Sequence, residues 1–421
     1  MRRKSCYFAI TGLLLLLCLV GAGRQAPTAG LPALTAPLEQ DLVRWEVGNF
    51  MKKWLHLARA QVWRDAPSSA ETTAMIAEFF SLGDERRRLQ RQQVAALAGD
   101  PARATLGIGA LTEGLDDVRS RAAELQPCVE EALEAAISAA ADEMGLMRRI
   151  GASRWPPVDF TFEPGGLVLV RSPRESIRRL PDSLLRPDIP LLEQERLERE
   201  AEALDPGIAA LIVRVGGVAT YPAQVTPDAD LHGTLIIASH EWVHHYLFFH
   251  PLGRRWWDGG ELTQINETVA NIVGEELGDL AYEKLTGVAV HRPPWQPPTL
   301  RARNEPPPDV FDFNREMRRT RAGLEALLAA GQVDEAEAYL EKRRRLFVAN
   351  GHPIRKLNTA YFAFHGTYTD SPQSLSPIEP QLRSIRAEAG SLAAFLDRVA
   401  RIDAPGQLEG LARDAGWQPR Q

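Results

Sequence analysis

The chain has 421 residues, of which 44% are apolar and 25% are charged, a composition typical of a soluble globular protein. Its net charge of −6 is small for this length, and no basic stretch is interleaved with aromatic residues. These two features argue against a nucleic-acid-binding protein. The three cysteines are Cys6, Cys18 and Cys128, and two of them lie in the N-terminal apolar segment, so a disulfide framework is excluded.

The N-terminal segment predicts export of the protein. Basic residues at positions 2–4 precede an uncharged run over residues 5–23. This layout is typical of a cleaved signal peptide, and the run is also long enough to be a transmembrane anchor, so both interpretations of residues 1–23 stay open. In either case the basic end stays in the cytoplasm and the body lies outside it. Leu17 precedes Cys18, where a lipoprotein signal has a small residue, so lipidation is not expected.

The next part of the chain predicts a linker and then a helical region. Residues 24–37 are rich in Pro, Ala and Gly and indicate the linker. Residues 38–151 place apolar side chains at helical spacing, with one helix predicted to end at Gly83 and another to begin at Pro127. Within this region the charge run over residues 85–93 predicts a solvated helix face.

The pattern changes near residue 155, where strands are predicted. Residues 158–162 and 167–170 are separated by a proline and two glycines, which indicates a hairpin. Residues 208–225 predict a further strand. A proline-rich connection over residues 288–310 then leads to a C-terminal helical region over residues 311–421. The helices predicted there cover residues 311–330, 332–348, 353–365 and 378–402. The fold class predicted is therefore α+β, mostly α, with a small mixed or antiparallel sheet.

Residues 240–250, HEWVHHYLFFH, hold four of the nine histidines of the chain. His240, Glu241 and His244 form an H-E-x-x-H motif. On a helix, residues four apart lie on one face about 6 Å apart along the axis, so the two imidazoles can bind one zinc ion. Glu241 lies beside them, where it can take a proton from a metal-bound water. The surrounding sequence is apolar on nearly all sides, and a metal offsets the cost of burying this carboxylate.

A second helix predicted over residues 265–280 offers a third ligand. Its apolar residues form one stripe, and Glu267 and Asn271, one turn apart, fall on the opposite side. A third metal ligand and a side chain that orients a histidine are expected at such positions. The spacing between His244 and Glu267 is long enough for a loop and an antiparallel helix.

At these residues the sequence resembles the gluzincin clan of zinc metallopeptidases, the thermolysin-like enzymes. The resemblance covers roughly residues 208–287. It implies that His240, His244 and Glu267 bind zinc. It also implies that Glu241 is the general base and that Asn271 supports one of the ligands. The clan usually has Asp or another residue where Asn271 stands.

The resemblance also implies a zincin-like catalytic core over residues 152–287, flanked by the N- and C-terminal helical regions. A strand at the edge of its sheet would bind extended substrate, and VRVGGVATYP, residues 213–222, is the candidate. The rest of the chain loosely resembles a bacterial group of membrane-anchored, aminopeptidase-like proteins.

A rival interpretation makes His250 the third ligand. In metzincins the motif continues as H-E-x-x-H-x-x-G-x-x-H, and His250 occupies the last position, but Leu247 stands where the glycine is needed. No helix breaker precedes Pro251, so the helix is expected to run to His250. It would then carry His250 about 15 Å along the axis from His240, too far to share a metal. Glu267 is therefore the preferred third ligand.

A zinc peptidase also needs a group that stabilises the oxyanion, usually a tyrosine or histidine. The candidates late in the chain are Tyr361, His365 and Tyr368. Two further candidates, Tyr221 and His232, lie upstream of the motif. Taken together, the sequence predicts a membrane-anchored or secreted zinc peptidase that acts on peptide or protein substrates. The alternative is a non-catalytic binding or scaffold protein on a peptidase fold, against which the intact Glu241 argues.

Overall fold

The computed structural model describes residues 30–40, 69–97, 106–150, 153–256, 260–292, 311–366 and 376–418. Within these ranges the protein is mostly helical α+β with small mixed and antiparallel sheets, which confirms the predicted class. The helices are α1 (Gly30–Thr35), followed by a 3-10 turn (Ala36–Leu38), α2 (Ser69–Leu97), α3 (Ile108–Glu143), α4 (Leu191–Leu204), α5 (Leu231–Leu247), α6 (Pro251–Arg254), α7 (Gly260–Thr286), α8 (Phe313–Ala329), α9 (Val333–Ala349), α10 (Thr359–His365), α11 (Ile378–Glu388), α12 (Leu392–Val399) and α13 (Gln407–Asp414). The strands are β1 (Arg148–Ile150), β2 (Ser153–Trp155), β3 (Phe160–Phe162), β4 (Leu167–Pro173), β5 (Ser183–Leu185), β6 (Ile208–Arg214), β7 (Gly217–Val218) and β8 (Ala223–Val225).

Two long helices, α2 and α3, form most of the described part of the N-terminal region. Helix α2 continues through Gly83 and α3 contains Pro127, so the helix boundaries predicted at these two residues are wrong. Leu125 and Val129, on either side of Pro127, are buried in the largest core cluster. Burying an aliphatic side chain contributes about 1.5–3 kcal/mol, comparable with the cost of about 3 kcal/mol for an interior proline. Burial of the two aliphatic side chains therefore outweighs the cost of the proline, and the helix continues through it.

Two arginines of the α2 charge run bind the loop that precedes α5. Arg86 donates to the carbonyl of Pro227 at 2.8 Å and pairs with Asp228 at 2.7 Å. Arg87 donates to the carbonyl of Asp228 at 2.8 Å. The prediction of a solvated face is therefore wrong for these two side chains, because they bind the loop from which α5 begins.

The strands predicted near residues 158–162 and 167–170 exist, but they do not form a hairpin. Strand β3 pairs in parallel with β8, in a mixed sheet of order β3-β8-β7. Strand β4 lies between β5 and β6 in a separate antiparallel sheet. Gly165 lies between the two strands, and a Cβ there would be 1.8 Å from the carbonyl oxygen of Val215. Glycine thus allows the chain to cross from one sheet to the other.

The single strand predicted over residues 208–225 is three strands in two sheets. Strand β6 belongs to the antiparallel sheet, and β7 and β8 belong to the mixed sheet. Strand β7, within the segment expected to bind substrate, lies at the edge of the mixed sheet, where it pairs antiparallel with β8.

In the C-terminal region, α8 and α9 lie where they were predicted. The helix predicted over residues 378–402 is two helices, because Ser391 starts α12 by accepting a hydrogen bond from the amide of Ala394 at 3.1 Å. The helix predicted over residues 353–365 is shorter, since Asn358 caps α10.

Helices α5 and α7 pack closely at the centre of the largest core cluster, which also includes residues of α3, α11, α12, α13, β3 and β8. Two glycines of α7 face α5 at the point of contact. A Cβ on Gly274 would be 2.9 Å from the Cα of His240, and one on Gly278 would be 2.7 Å from the Cα of Ile236. The two glycines are one turn apart, so the helix backbones touch over that turn.

In the described ranges, no helix is both long and apolar enough to cross a membrane. The predicted signal or anchor over residues 1–23 lies outside those ranges, as do residues 24–29 of the linker and residues 293–310 of the proline-rich connection; residues 30–37 of the linker are described and form α1 and the start of the 3-10 turn. Export and membrane attachment therefore stay predictions.

Replacing Gly274 with Ala should lower the free energy of unfolding by about 1–3 kcal/mol, because the added methyl group would overlap the backbone of His240. Denaturant unfolding measures this change. Gly410→Ala in α13 is the matched control, since nothing lies within 4 Å of its Cβ position. It should be neutral or stabilise by up to about 1 kcal/mol. Equal stabilities of the two variants would contradict close contact between α5 and α7.

Candidate metal centre

Helix α5 carries the H-E-x-x-H motif. Asp230 starts the helix by accepting a hydrogen bond from the amide of Gly233 at 2.7 Å. The helix ends at Leu247 and does not continue to His250, so that expectation is wrong. Gly253 explains the turn, because a Cβ there would be 2.1 Å from the carbonyl oxygen of Leu247. The chain after α5 thus folds back tightly against the end of the helix.

Three side chains converge between α5 and α7. The Nε2 atoms of His240 and His244 are 3.0 Å apart. The Oε2 atom of Glu267 lies 3.6 Å from the first and 3.7 Å from the second. Ligands of a tetrahedral zinc with bonds of 2.0–2.1 Å are separated by about 3.4 Å, so the three atoms already have the spacing of a metal site.

Hydrogen bonds behind the histidines aim their free nitrogens at this point. The Nδ1 atom of His244 lies 2.9 Å from Oδ1 of Asn266, whose amide nitrogen donates to the carbonyl of Leu252 at 3.4 Å. The amide oxygen therefore accepts from Nδ1–H, and Nε2 keeps its lone pair for a ligand. The side chain of Asn271 hydrogen-bonds to His240.

Glu267 and His244 have the protonation states that metal binding requires. Burial alone would raise the pKa of Glu267, but His244 and His240 oppose it and lower that pKa to about 2. Burial lowers the pKa of His244 to about 4, which keeps its imidazole neutral. An ionised carboxylate and a neutral imidazole are the forms that bind a cation.

The pKa of His240 is raised, because Glu267 and Glu241 together outweigh its burial. Two imidazole nitrogens 3.0 Å apart cannot both accept, so a proton lies between them. A bound metal would take the place of that proton and satisfy all three ligands. The residues therefore fit a divalent cation with nitrogen and oxygen ligands.

Glu241 lies beside this group and is 6% exposed. Burial raises its pKa to about 7; the charge of His240 opposes this shift and that of Glu267 adds to it. Gly217 of β7 makes room for the carboxylate, because a Cβ there would be 2.2 Å from its Oε1 atom. The edge of the mixed sheet and the buried carboxylate are thus in direct contact.

The other two histidines of the motif segment make different contacts. His250 hydrogen-bonds through Nδ1 to the carbonyl of Tyr246 at 2.9 Å and stacks on the ring of that residue. His245 hydrogen-bonds through Nε2 to the carbonyl of Thr220 at 2.7 Å. Neither belongs to the converging group, so the geometry favours Glu267 over His250 as third ligand.

The predicted oxyanion groups are dispersed over several elements. His232 pairs with Asp279 at 2.7 Å, and Tyr221 lies edge-on to the ring of His245. Tyr361 and His365 contact each other on α10, with ring centroids 4.3 Å apart. Tyr368 lies outside the described residues. The choice of oxyanion group stays a prediction.

The sequence predicted no role for Asn266 or Trp256, and it placed Gly217 only within the segment expected to bind substrate. Asn266 stands directly before Glu267, and the pairing of these two residues was the available signal. Trp256 donates to Oε1 of Glu267 at 3.1 Å from the connection between α6 and α7. No local pattern points to either contact, because Trp256 precedes α7 by several residues, and Gly217 lies in a strand whereas Glu241 lies in a helix.

Comparison with protein-family models finds no matching family, and no curated protein or solved structure matches the chain. The interpretation of the site therefore depends on the motif residues and on the geometry described above. That geometry supports a metal-binding group of two histidines and one glutamate.

Glu267→Ala should weaken zinc binding by more than about 100-fold, beyond the effect of losing an outer hydrogen-bond partner, because it removes a ligand. His250→Ala should leave the zinc dissociation constant unchanged. Competition with a chromophoric chelator measures both values. Loss of zinc from the His250 variant, with retention by the Glu267 variant, would favour the metzincin arrangement instead.

Proposed function

We propose that the protein is a zinc-dependent peptidase of the gluzincin type that hydrolyses peptide bonds. The supporting observation is the convergence of His240, His244 and Glu267 on one point, with the buried Glu241 beside them. Metal-binding groups also occur in structural sites. A buried carboxylate next to the ligands, however, has no role in holding a structural metal.

The donor set favours zinc. Two imidazole nitrogens and one carboxylate oxygen are the protein ligands of many catalytic zinc sites, which keep a fourth position for water. Zinc, when bound, would supply a Lewis acid for the scissile carbonyl and lower the pKa of the attacking water. His240, His244 and Glu267 would hold it, and Asn266 and Asn271 would keep the two imidazoles in place.

Glu241 is suited to move the proton. A general base works best when its pKa lies near the pH of the reaction, and burial raises the pKa of Glu241 to about 7. Its carboxylate would accept the proton of the attacking water and then pass it to the leaving amine. The low exposure of Glu241 shields this transfer from bulk water.

Strand β7 offers a place for an extended peptide. Among the described residues it pairs with β8 on one side, and no strand pairs with its outer edge. A peptide that added to that edge would gain main-chain hydrogen bonds and lie next to Glu241. The loose resemblance to aminopeptidase-like proteins favours release of N-terminal residues, and a parallel assay on N-acetylated peptides separates this activity from internal cleavage.

Glu241→Gln should abolish peptide hydrolysis, with a loss of several orders of magnitude, while zinc stays bound at about one ion per chain. The amide keeps the size of the side chain but cannot accept the proton. Hydrolysis of a peptide library with and without chelator, together with metal analysis, measures both effects. A zinc-loaded wild-type protein that cleaves no peptide would favour the scaffold alternative.

Gly217→Ala should impair hydrolysis strongly and leave zinc binding intact, because its methyl group would displace the carboxylate of Glu241 and not the ligands. The neighbouring Gly216→Ala is the control, since its Cβ would be 4.0 Å from the side chain of Ile237. Steady-state hydrolysis rates and zinc content test the pair. Equal rates in the two variants would show that Gly217 does not set the position of Glu241.

A further inference from the structure

Trp256 lies in the connection between α6 and α7 and binds the outer oxygen of the glutamate ligand. Its indole Nε1–H donates to Oε1 of Glu267 at 3.1 Å. The hydroxyl of Thr263, in the first turns of α7, donates to the carbonyl of Trp256 at 2.8 Å and holds the backbone of that residue. The indole is therefore fixed to the same helix that carries the glutamate.

The two oxygens of Glu267 have different surroundings. Oε2 faces the Nε2 atoms of both histidines, at 3.6 and 3.7 Å, whereas Oε1 accepts from the indole. An indole N–H is a donor only and does not titrate. The ability of the indole to donate this hydrogen bond therefore does not change with pH.

We infer that Trp256 is a positioning residue that restricts Glu267 to a single coordinating oxygen. This inference rests on the proposed function, because it concerns how the chain holds zinc. The hydrogen bond from the indole occupies one lone pair of Oε1 and holds that oxygen toward Trp256, which favours binding through Oε2, the oxygen that faces both histidines. The remaining coordination position then stays free for water.

The alternative role of Trp256 is purely structural: its ring fills space beside α7 and its N–H only satisfies a buried acceptor. The two roles differ in their effect on the metal. Loss of a structural tryptophan lowers stability and leaves the coordination of the metal unchanged. Loss of a positioning tryptophan frees Oε1 and changes the number of oxygens that reach the ion.

The experiment compares Trp256→Phe with Trp242→Phe in the full chain. Both variants replace an indole by a phenyl ring and remove one N–H hydrogen bond. The indole of Trp242 donates to the carbonyl of Pro156 at 3.1 Å, and Trp242 is not one of the three converging residues. Trp242→Phe is therefore the matched control for lost packing and a lost hydrogen bond.

Two quantities are measured on each variant: the zinc dissociation constant, and the visible absorption after loading with cobalt(II), whose intensity falls when the coordination number rises. Trp256→Phe should weaken zinc binding about 10–100-fold, the usual effect of losing an outer hydrogen-bond partner, and should reduce the cobalt absorption. Trp242→Phe should lower the melting temperature without changing either quantity. Identical zinc affinity and cobalt spectra in wild type and Trp256→Phe would overturn the inference.

A crystal structure of the zinc-loaded wild-type protein tests the inference without any variant, should Trp256→Phe fail to fold. The expected result is one coordinating oxygen from Glu267, with the indole still bound to the other oxygen. Two coordinating oxygens, or an indole that has turned away, would overturn it. If the wild-type protein binds no zinc, the proposed function itself fails; if it binds zinc and cleaves peptides, only the role of Trp256 is in question.

Discussion

The contact between the backbones of α5 and α7 is the constraint on which the candidate site depends. Gly274 and Gly278 remove the side chains that would otherwise keep the two helices apart. The side chain of Glu267 has a fixed length, so its carboxylate reaches the imidazoles of α5 only if the helices approach this closely. Bulkier residues on this face of α7 would increase the distance between the axes of α5 and α7. Glu267 would then lie too far from the two histidines to share a metal with them.

The close approach of the helices also buries charged and polar groups, which costs free energy. Neighbouring residues reduce this cost. The pair lies in the apolar core, where unpaired charges are unfavourable. Asn266 satisfies His244, Asn271 satisfies His240 and Trp256 satisfies the outer oxygen of Glu267. The remaining lone pairs all face one point between the helices. Each of the three ligand side chains therefore has a hydrogen-bond partner on the side away from the point where a cation would lie.

The sequence predicted the fold class and the grouping of two histidines with one glutamate, because helical spacing and ligand chemistry are local properties. It could not predict the contacts of Trp256 and Gly217, which depend on how separate elements meet in the fold. The hairpin failed for the same reason, since alternation indicates a strand but not its partner. The boundaries expected at Gly83 and Pro127 failed because burial in the core outweighs the helix propensity of one residue.

The two parts of the site differ in how far apart their residues lie in the chain. The three ligands and both supporting asparagines lie within residues 240–271, so closing the loop between α5 and α7 costs little conformational entropy. The strand beside Glu241 belongs instead to a sheet that joins residues 160–162 to residues 223–225 in parallel. Such non-local pairing is slow to form. The helix pair is thus expected to form before the mixed sheet, and a cation bound there would stabilise the chain before the edge strand of that sheet is in place.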